Sequence, residues 1–244
     1  MNAADTASEL CTTLVTLLNL LHSKCRSGSF SCCVVGRGQA AKKHLVPAGN
    51  RLNFLPPWLL REFEYDPVDD IRFTATTTDG SADDKQLRDC GALFTQILVE
   101  PDNRAVACDR LRNFSVTPAI IIDASSDLTA VWPLETTLRL DNATDRERAE
   151  QLQRGLAAAV GGRTDNVQAV IPRASVGATG NRQHATEYLT LPAWSPSWAA
   201  IRLPGSRNHE IGGRLVTLAR FTEQRVTADA IEQALDIYTQ QERT

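Results

Sequence analysis

The sequence predicts a mixed α+β fold, a mixed or antiparallel sheet core with flanking helices, and three observations predict it. Leu10, Leu14, Leu17, Leu18 and Leu21 recur at three- and four-residue spacing, the pattern of an amphipathic helix near the N-terminus. Short runs such as "DIRFTATTT" and "TPAIIIDASSDLTAVWPLE" carry the alternation and β-branched content of strands. These helical and extended segments follow one another without the regular strand–helix–strand alternation of a parallel doubly wound sheet.

Taken in order, residues 7–25 form the first helix. "SCCVVGRGQAAKKHLV" reads as a short apolar strand, a glycine turn and a basic segment, and "LPPWLLREF" as a proline-initiated helical turn. "DIRFTATTT" is a strand, "DGSADDKQLRD" a polar loop, and "GALFTQILVEPDN" a strongly apolar strand ending on acids. "DRLRNFS" is a short helix, and "TPAIIIDASSDLTAVWPLE" two strands joined by a small polar turn at Ser125, Ser126 and Asp127. "DNATDRERAEQLQRGLAAAVGG" is the clearest helix, capped by Thr144 or Asp145 and stopped by Gly161-Gly162. Residues 163–200 are irregular, "GGRLVTLARF" is a strand, and "TADAIEQALDIYTQQ" is a closing helix capped by Thr227. The expected organisation is an N-terminal helical extension packed on the core (residues 1–55), a main domain (56–225) and a C-terminal helix (226–244).

Composition narrows the function. At 42% hydrophobic and 23% charged residues, the 244-residue chain has the balance of a globular protein with a buried core. No apolar run approaches the ~20 residues of a membrane span. "LCTTLVTLLNLLHSKC" is interrupted by threonines and Asn19 and has no basic leader, which argues against a signal peptide. Cys11, Cys25, Cys32, Cys33, Cys90 and Cys108 form no zinc spacing and are expected to be reduced thiols of a cytoplasmic protein. A net charge of −3 requires any nucleic-acid contact to come from a local patch.

Four stretches carry candidate chemistry. In "ILVEPDN", Glu100 and Asp102 lie two apart and would project from one face of a strand end. Such a pair repels unless a cation neutralises it, and hard oxygen ligands suit Mg²⁺ or Mn²⁺; the alternative is a strand running into a solvated turn. The Ser125-Ser126-Asp127 turn offers hydroxyls and amides to phosphate oxygens, or is merely a turn. "VVGRGQAA" has the form of a dinucleotide fingerprint, but "LNFLPPWLL" puts prolines where the second strand should start. In "RLPGSRNHE", Arg202 and Arg207 begin a basic segment, with Arg214, Arg220 and Arg225 opposed only by Glu210 and Glu223. Guanidinium forks match phosphate geometry, and a solvated arginine-rich loop is the alternative.

From Asp70 to Phe221 the order of these segments resembles the primase-polymerase domain of the archaeo-eukaryotic primase superfamily, in the branch found in phages, plasmids and other mobile elements. "DIRFTATTTDGSADDKQLRDCGALFTQILVEPD" is similar to the family's strand, loop and apolar strand ending in its acidic pair. "RLRNFSVTPAIIIDASSDLTAVWPLE" and "AEQLQRGLAAAVGG" resemble the elements that follow, and "IRLPGSRNHE" resembles the Arg-Leu-Pro-Gly-Thr-x-Asn-x-Lys motif. The resemblance implies an RRM-like sheet and two divalent metals, Mg²⁺ or Mn²⁺, held by Glu100, Asp102 and Asp165 as the catalytic carboxylates. It implies nucleotide contacts from Ser125, Ser126, Thr129, Arg202, Arg207, Asn208 and His209. Single-stranded DNA template and nucleoside triphosphates would be the partners, a replicative helicase a further one, and nucleotidyl transfer in DNA replication the activity. This chain departs from the pattern at Glu100, where the family has Asp, at Thr129, where it has His, and at Glu210, where it has Lys. Residues 163–200 resemble an insertion. Two readings follow: an active primase-polymerase, or a catalytically degraded module of the same fold that binds nucleotide or single-stranded nucleic acid as a replication-initiation or assembly partner.

Overall fold

The structure is a computed structural model and describes residues 3–35, 42–49, 51–64, 70–79, 87–99, 102–162, 171–173, 187–189 and 200–241. The chain opens with α1 (Ala3–His22), β1 (Ser29–Val35), β2 (Lys42–Pro47) and α2 (Pro57–Glu64). Then come β3 (Asp70–Thr74), β4 (Thr76–Thr78), β5 (Leu87–Leu98) and α3 (Arg104–Asn113). β6 (Ile120–Asp123), β7 (Asp127–Arg139) and α4 (Ala143–Val160) complete the centre. A separate two-stranded pair, β8 (Ile171–Arg173) and β9 (Glu187–Leu189), precedes β10 (Ala200–Arg202). β11 (Arg207–Asn208), β12 (Arg214–Leu215), β13 (Thr217–Phe221) and α5 (Ala228–Gln241) end the described chain.

The central sheet has nine strands in the order β10-β3-β1-β4-β5-β7-β6-β13, with β2 added to β1. All its pairings are antiparallel. β1 pairs with β2 along one edge and with β3 and then β4 along the other, so the basic "KKHLVP" segment is a strand, which its composition did not announce. Alternation along β5 splits its side chains between two cores: Ala92 and Phe94 face α1 and α2, whereas Leu93 and Ile97 face α3, α4 and α5. β7 divides likewise, Val131 to the first core and Leu128, Ala130 and Trp132 to the second. The sheet is therefore a middle layer buried on both faces, which explains why β5 reads as a nearly continuous apolar run.

Local chemistry sets the element ends. Pro57 occupies the first turn of α2, where its missing N–H costs nothing. The cap of α4 falls on Asn142 rather than on Thr144 or Asp145: Asn142 is extended, and its side chain accepts from the Thr144 N–H at 2.9 Å. Asp145 instead accepts from the Arg139 N–H at 3.3 Å. Gly161 ends α4 in the left-handed conformation at φ 75°. Thr227 caps α5, its Oγ1 accepting from Ala230 N at 3.1 Å. Pro133 is tolerated inside β7 because it lies beyond the last residue that β6 pairs, Val131.

Two features fix α1 on the sheet. A Cβ on Gly91 would lie 1.8 Å from the Leu21 carbonyl oxygen, so α1 touches β5 backbone to backbone there. Asp89, fully buried, accepts from the Arg26 and Ser27 N–H groups at 2.7 and 3.0 Å and holds the turn after α1. Beside it, burial pushes the Cys25 thiol up and the Cys90 thiol up to about 12, so both stay protonated and unreactive. Among the described residues no helix is long and apolar enough to cross a membrane.

Candidate functional site

The "DASSD" turn between β6 and β7 is built by side-chain bonds at unusual backbone angles. Ser125 has φ 70°, the left-handed region that non-glycine residues rarely adopt. Asp123 Oδ1 accepts from Ser125 N at 2.8 Å, an Asx-type closure that supports this conformation. Arg104, the first residue of α3, donates Nη2 to the Ser125 carbonyl at 2.9 Å and pairs through Nη1 with Asp123. The turn also reaches the end of β5, where Val99 N donates to Ser126 O at 3.0 Å.

The "RLPGSRN" loop is equally well defined. Pro204 and Gly205, the latter at φ 87°, form a type II turn closed by Ser206 N donating to Leu203 O at 3.1 Å. The loop is sewn to the start of β13 by Gly205 N to Val216 O and Val216 N to Ser206 O, both 2.8 Å. It is then joined to the serine turn by Asn208, which is fully buried. Asn208 Nδ2 donates to Ala124 O at 2.9 Å and to Ser126 Oγ at 3.3 Å.

At the junction stands Asp127, 5% exposed. Its Oδ2 accepts from Arg202 Nη1 at 3.3 Å and from Ser126 Oγ at 3.1 Å, and its Oδ1 accepts from Thr129 Oγ1 at 3.4 Å. Arg202 comes from β10, is also 5% exposed, and brings Nε to 3.5 Å from Asp70 Oδ2. Asp70 is in turn held by Arg72, whose Nη2 donates at 2.7 Å and whose Nε donates at 3.2 Å to the same oxygen. Two aspartates and two arginines thus form a buried chain whose formal charges cancel, the arrangement that makes ion burial tolerable.

The structure therefore brings Ser125, Ser126, Thr129, Arg202 and Asn208 into one neighbourhood. Arg207 is half-buried and donates Nη1 to Gly213 O at 3.1 Å. His209 is half-buried in the short helical turn His209–Ile211. Asp102 is exposed in the turn that precedes α3, and Glu100 and Asp165 lie outside the described residues. Among the described residues no group of three or more His, Cys, Asp or Glu side chains is placed to hold a metal ion. Gly162, three residues before Asp165, packs on β5: a Cβ there would meet Thr95 Oγ1 at 2.2 Å. Sequence reasoning missed Asp70, Arg72, Arg104 and Asp123. Asp70 and Arg72 had one usable signal, their two-residue spacing on the strand "DIRFT".

The largely antiparallel sheet with helices on both faces is a mixed α+β fold similar to that of a solved primase-polymerase domain. The likeness is to the AEP domain of the cyanophage S-2L primase-polymerase, with a TM-score of 0.56 and 12% identity over 92% of this chain and 97% of that one. Primase RepB' follows at a TM-score of 0.49, 18% identity, 95% of this chain and 64% of that one. The catalytic domain of primase RepB' in complex with initiator DNA gives 0.48, 16%, 96% and 97%. No family model and no curated protein matches the chain.

Proposed function

We propose that this chain is a primase-polymerase-type domain that binds a nucleoside triphosphate between the Ser125-Ser126 turn and the Arg202–Asn208 loop and performs metal-dependent nucleotidyl transfer on a single-stranded DNA template for a mobile element's replication. One observation carries the reading. Asn208 ties a loop more than 80 positions away in sequence to Ser126 and Ala124, and Val99 ties the same turn to the strand that leads to Glu100 and Asp102. Two polar loops are thus joined to each other, and one of them is tied to the strand that leads to the acidic pair.

The chemistry assigned to each residue follows from its type. Glu100, Asp102 and Asp165 would hold Mg²⁺ or Mn²⁺, whose charge would bind the triphosphate and favour attack by a 3′-hydroxyl. Ser125 and Ser126 offer hydroxyls and turn amides to phosphate oxygens. Arg202 would offer guanidinium N–H groups to the phosphate oxygens, and Arg207 and His209 follow it in the same segment.

A second reading has its own support. Thr129 stands where the resemblance places a histidine, and its hydroxyl is bonded to Asp127, which also neutralises Arg202. A site so compensated suits a module that retains the fold and binds nucleotide or single-stranded DNA without catalysis.

Incorporation of labelled nucleotide on a single-stranded template, with Mg²⁺ or Mn²⁺, separates the two. The first reading expects product from the wild type and its loss by at least about a hundredfold in Asp102→Ala, the scale of removing transition-state charge stabilisation. Single-strand binding that weakens with salt, without incorporation under any metal, selects the second.

A further inference from the structure

Three of the residues assigned above to a nucleotide anion already share an anion within the protein. Arg202, Ser126 and Thr129 all direct hydrogen-bond donors at the carboxylate of Asp127. A guanidinium N–H and two hydroxyls around two oxygens is the donor set a phosphate would receive. Resting on the nucleotide-site reading, we propose that Asp127 is a built-in counter-anion that occupies this donor set, so that it sets how weakly the site binds polyphosphate.

The charges support this. Asp70, Asp127, Arg72 and Arg202 sum to zero, and each is at most 9% exposed. In so dry a cluster an approaching anion meets little net attraction, because the field of each guanidinium ends on a carboxylate nearby. Asp70 divides its charge between two arginines, its Oδ2 accepting two N–H groups of Arg72 and lying 3.5 Å from Arg202 Nε. Asp127 is also placed to retire. It starts β7 at the mouth of the serine turn, next to half-buried Ser125 and Ser126, whereas Asp70 is held by a neighbour on its own strand.

Asparagine at position 127 keeps the shape and leaves an oxygen to accept from Ser126 or Thr129, but removes the charge. These four residues then sum to a charge of +1, with Arg72 and Arg202 around the carboxylate of Asp70. The test is calorimetric titration of the full chain with inorganic pyrophosphate in metal-free buffer, for wild type, Asp127→Asn and Asp127→Asn/Arg202→Gln. The expected result is affinity at least about tenfold higher in Asp127→Asn, a difference of about 1.4 kcal/mol, returning to the wild-type level in the double variant. Unchanged or weaker binding by folded Asp127→Asn overturns the proposal, as does a gain that survives loss of Arg202. If Asp127→Asn does not unfold cooperatively, Asp127→Gly takes its place with the same expectation and the same contradicting result. The titration contains no template and no metal, so its failure and that of nucleotidyl transfer are read separately. Nucleotide incorporation with an unchanged titration removes the counter-anion and leaves the enzyme. A tenfold gain without incorporation does the reverse.

Discussion

Arg104 donates its Nη2 to the carbonyl of Ser125 at 2.9 Å, and through it the first residue of α3 clamps a turn on the neighbouring hairpin. The turn before α3 contains Asp102, so one arginine links the acidic segment to the serine turn. Ser125 is held at φ 70° by this clamp and by Asp123.

That relationship predicts a coupled pair of effects. A left-handed serine costs about 1 kcal/mol relative to glycine, partly offset by glycine's larger chain entropy, so Ser125→Gly should leave stability unchanged or raise it by up to about 1 kcal/mol. Arg104→Ala should cost up to about 1 kcal/mol, because its pair with Asp123 is partly solvated. In the Ser125→Gly background the Arg104→Ala cost should shrink, as a double-mutant cycle of urea midpoints would record. Additive effects would show that the clamp does not act on the turn.

Gly91→Ala should be among the most damaging single changes. The new methyl would lie 1.8 Å from the Leu21 carbonyl oxygen, backbone that cannot swing aside, so α1 must lift from β5. A loss of about 3 kcal/mol or more is expected in chemical denaturation, at the upper end for overpacking. A loss under about 1 kcal/mol would mean that α1 is not seated as described.

His22 predicts the acid limb of stability. It is buried against Phe30, with ring centroids 3.9 Å apart and planes within 4°, and neither ring nitrogen has a hydrogen-bond partner among the described residues. Burial lowers its pKa to about 3, below the unfolded value of 6.5. Between those values the unfolded chain binds the extra proton, so the neutral ring's contribution is complete above about pH 6.5 and is lost as pH falls toward 3. The slope contributed is up to about 1.4 kcal/mol per pH unit. His22→Phe keeps a ring in the stack and should flatten this limb in urea titrations from pH 7 to 4. Parallel wild-type and variant curves would contradict it.

How much of this was legible before folding differs by element. The leucine spacing of α1, the Gly161 stop of α4 and the Thr227 cap of α5 are local, and each was readable because its cause lies within a few residues. β2 was not, because "KKHLVP" becomes a strand only by pairing with β1. At the site, the serine turn and the Pro-Gly loop were visible as turn chemistry. The partners of Arg202 were hidden: Asp70 reaches it through the pairing of β10 with β3, and Asp127 from a strand 75 positions away. A sequence shows that an arginine is present; only the fold shows which carboxylate it meets.

The most direct test of the central claim is to locate the nucleotide. Amide NMR spectra of the full chain, titrated with a nonhydrolysable nucleoside triphosphate and then substoichiometric Mn²⁺, report the distance of each N–H from the paramagnetic ion. The account predicts that broadening centres on Asp102, Ser125, Ser126 and Asn208, and that Ile231 and Ala234 of α5, on the far core, stay sharp. Broadening centred elsewhere, or none at saturating triphosphate, would contradict a nucleotide site between the serine turn and the Arg202–Asn208 loop.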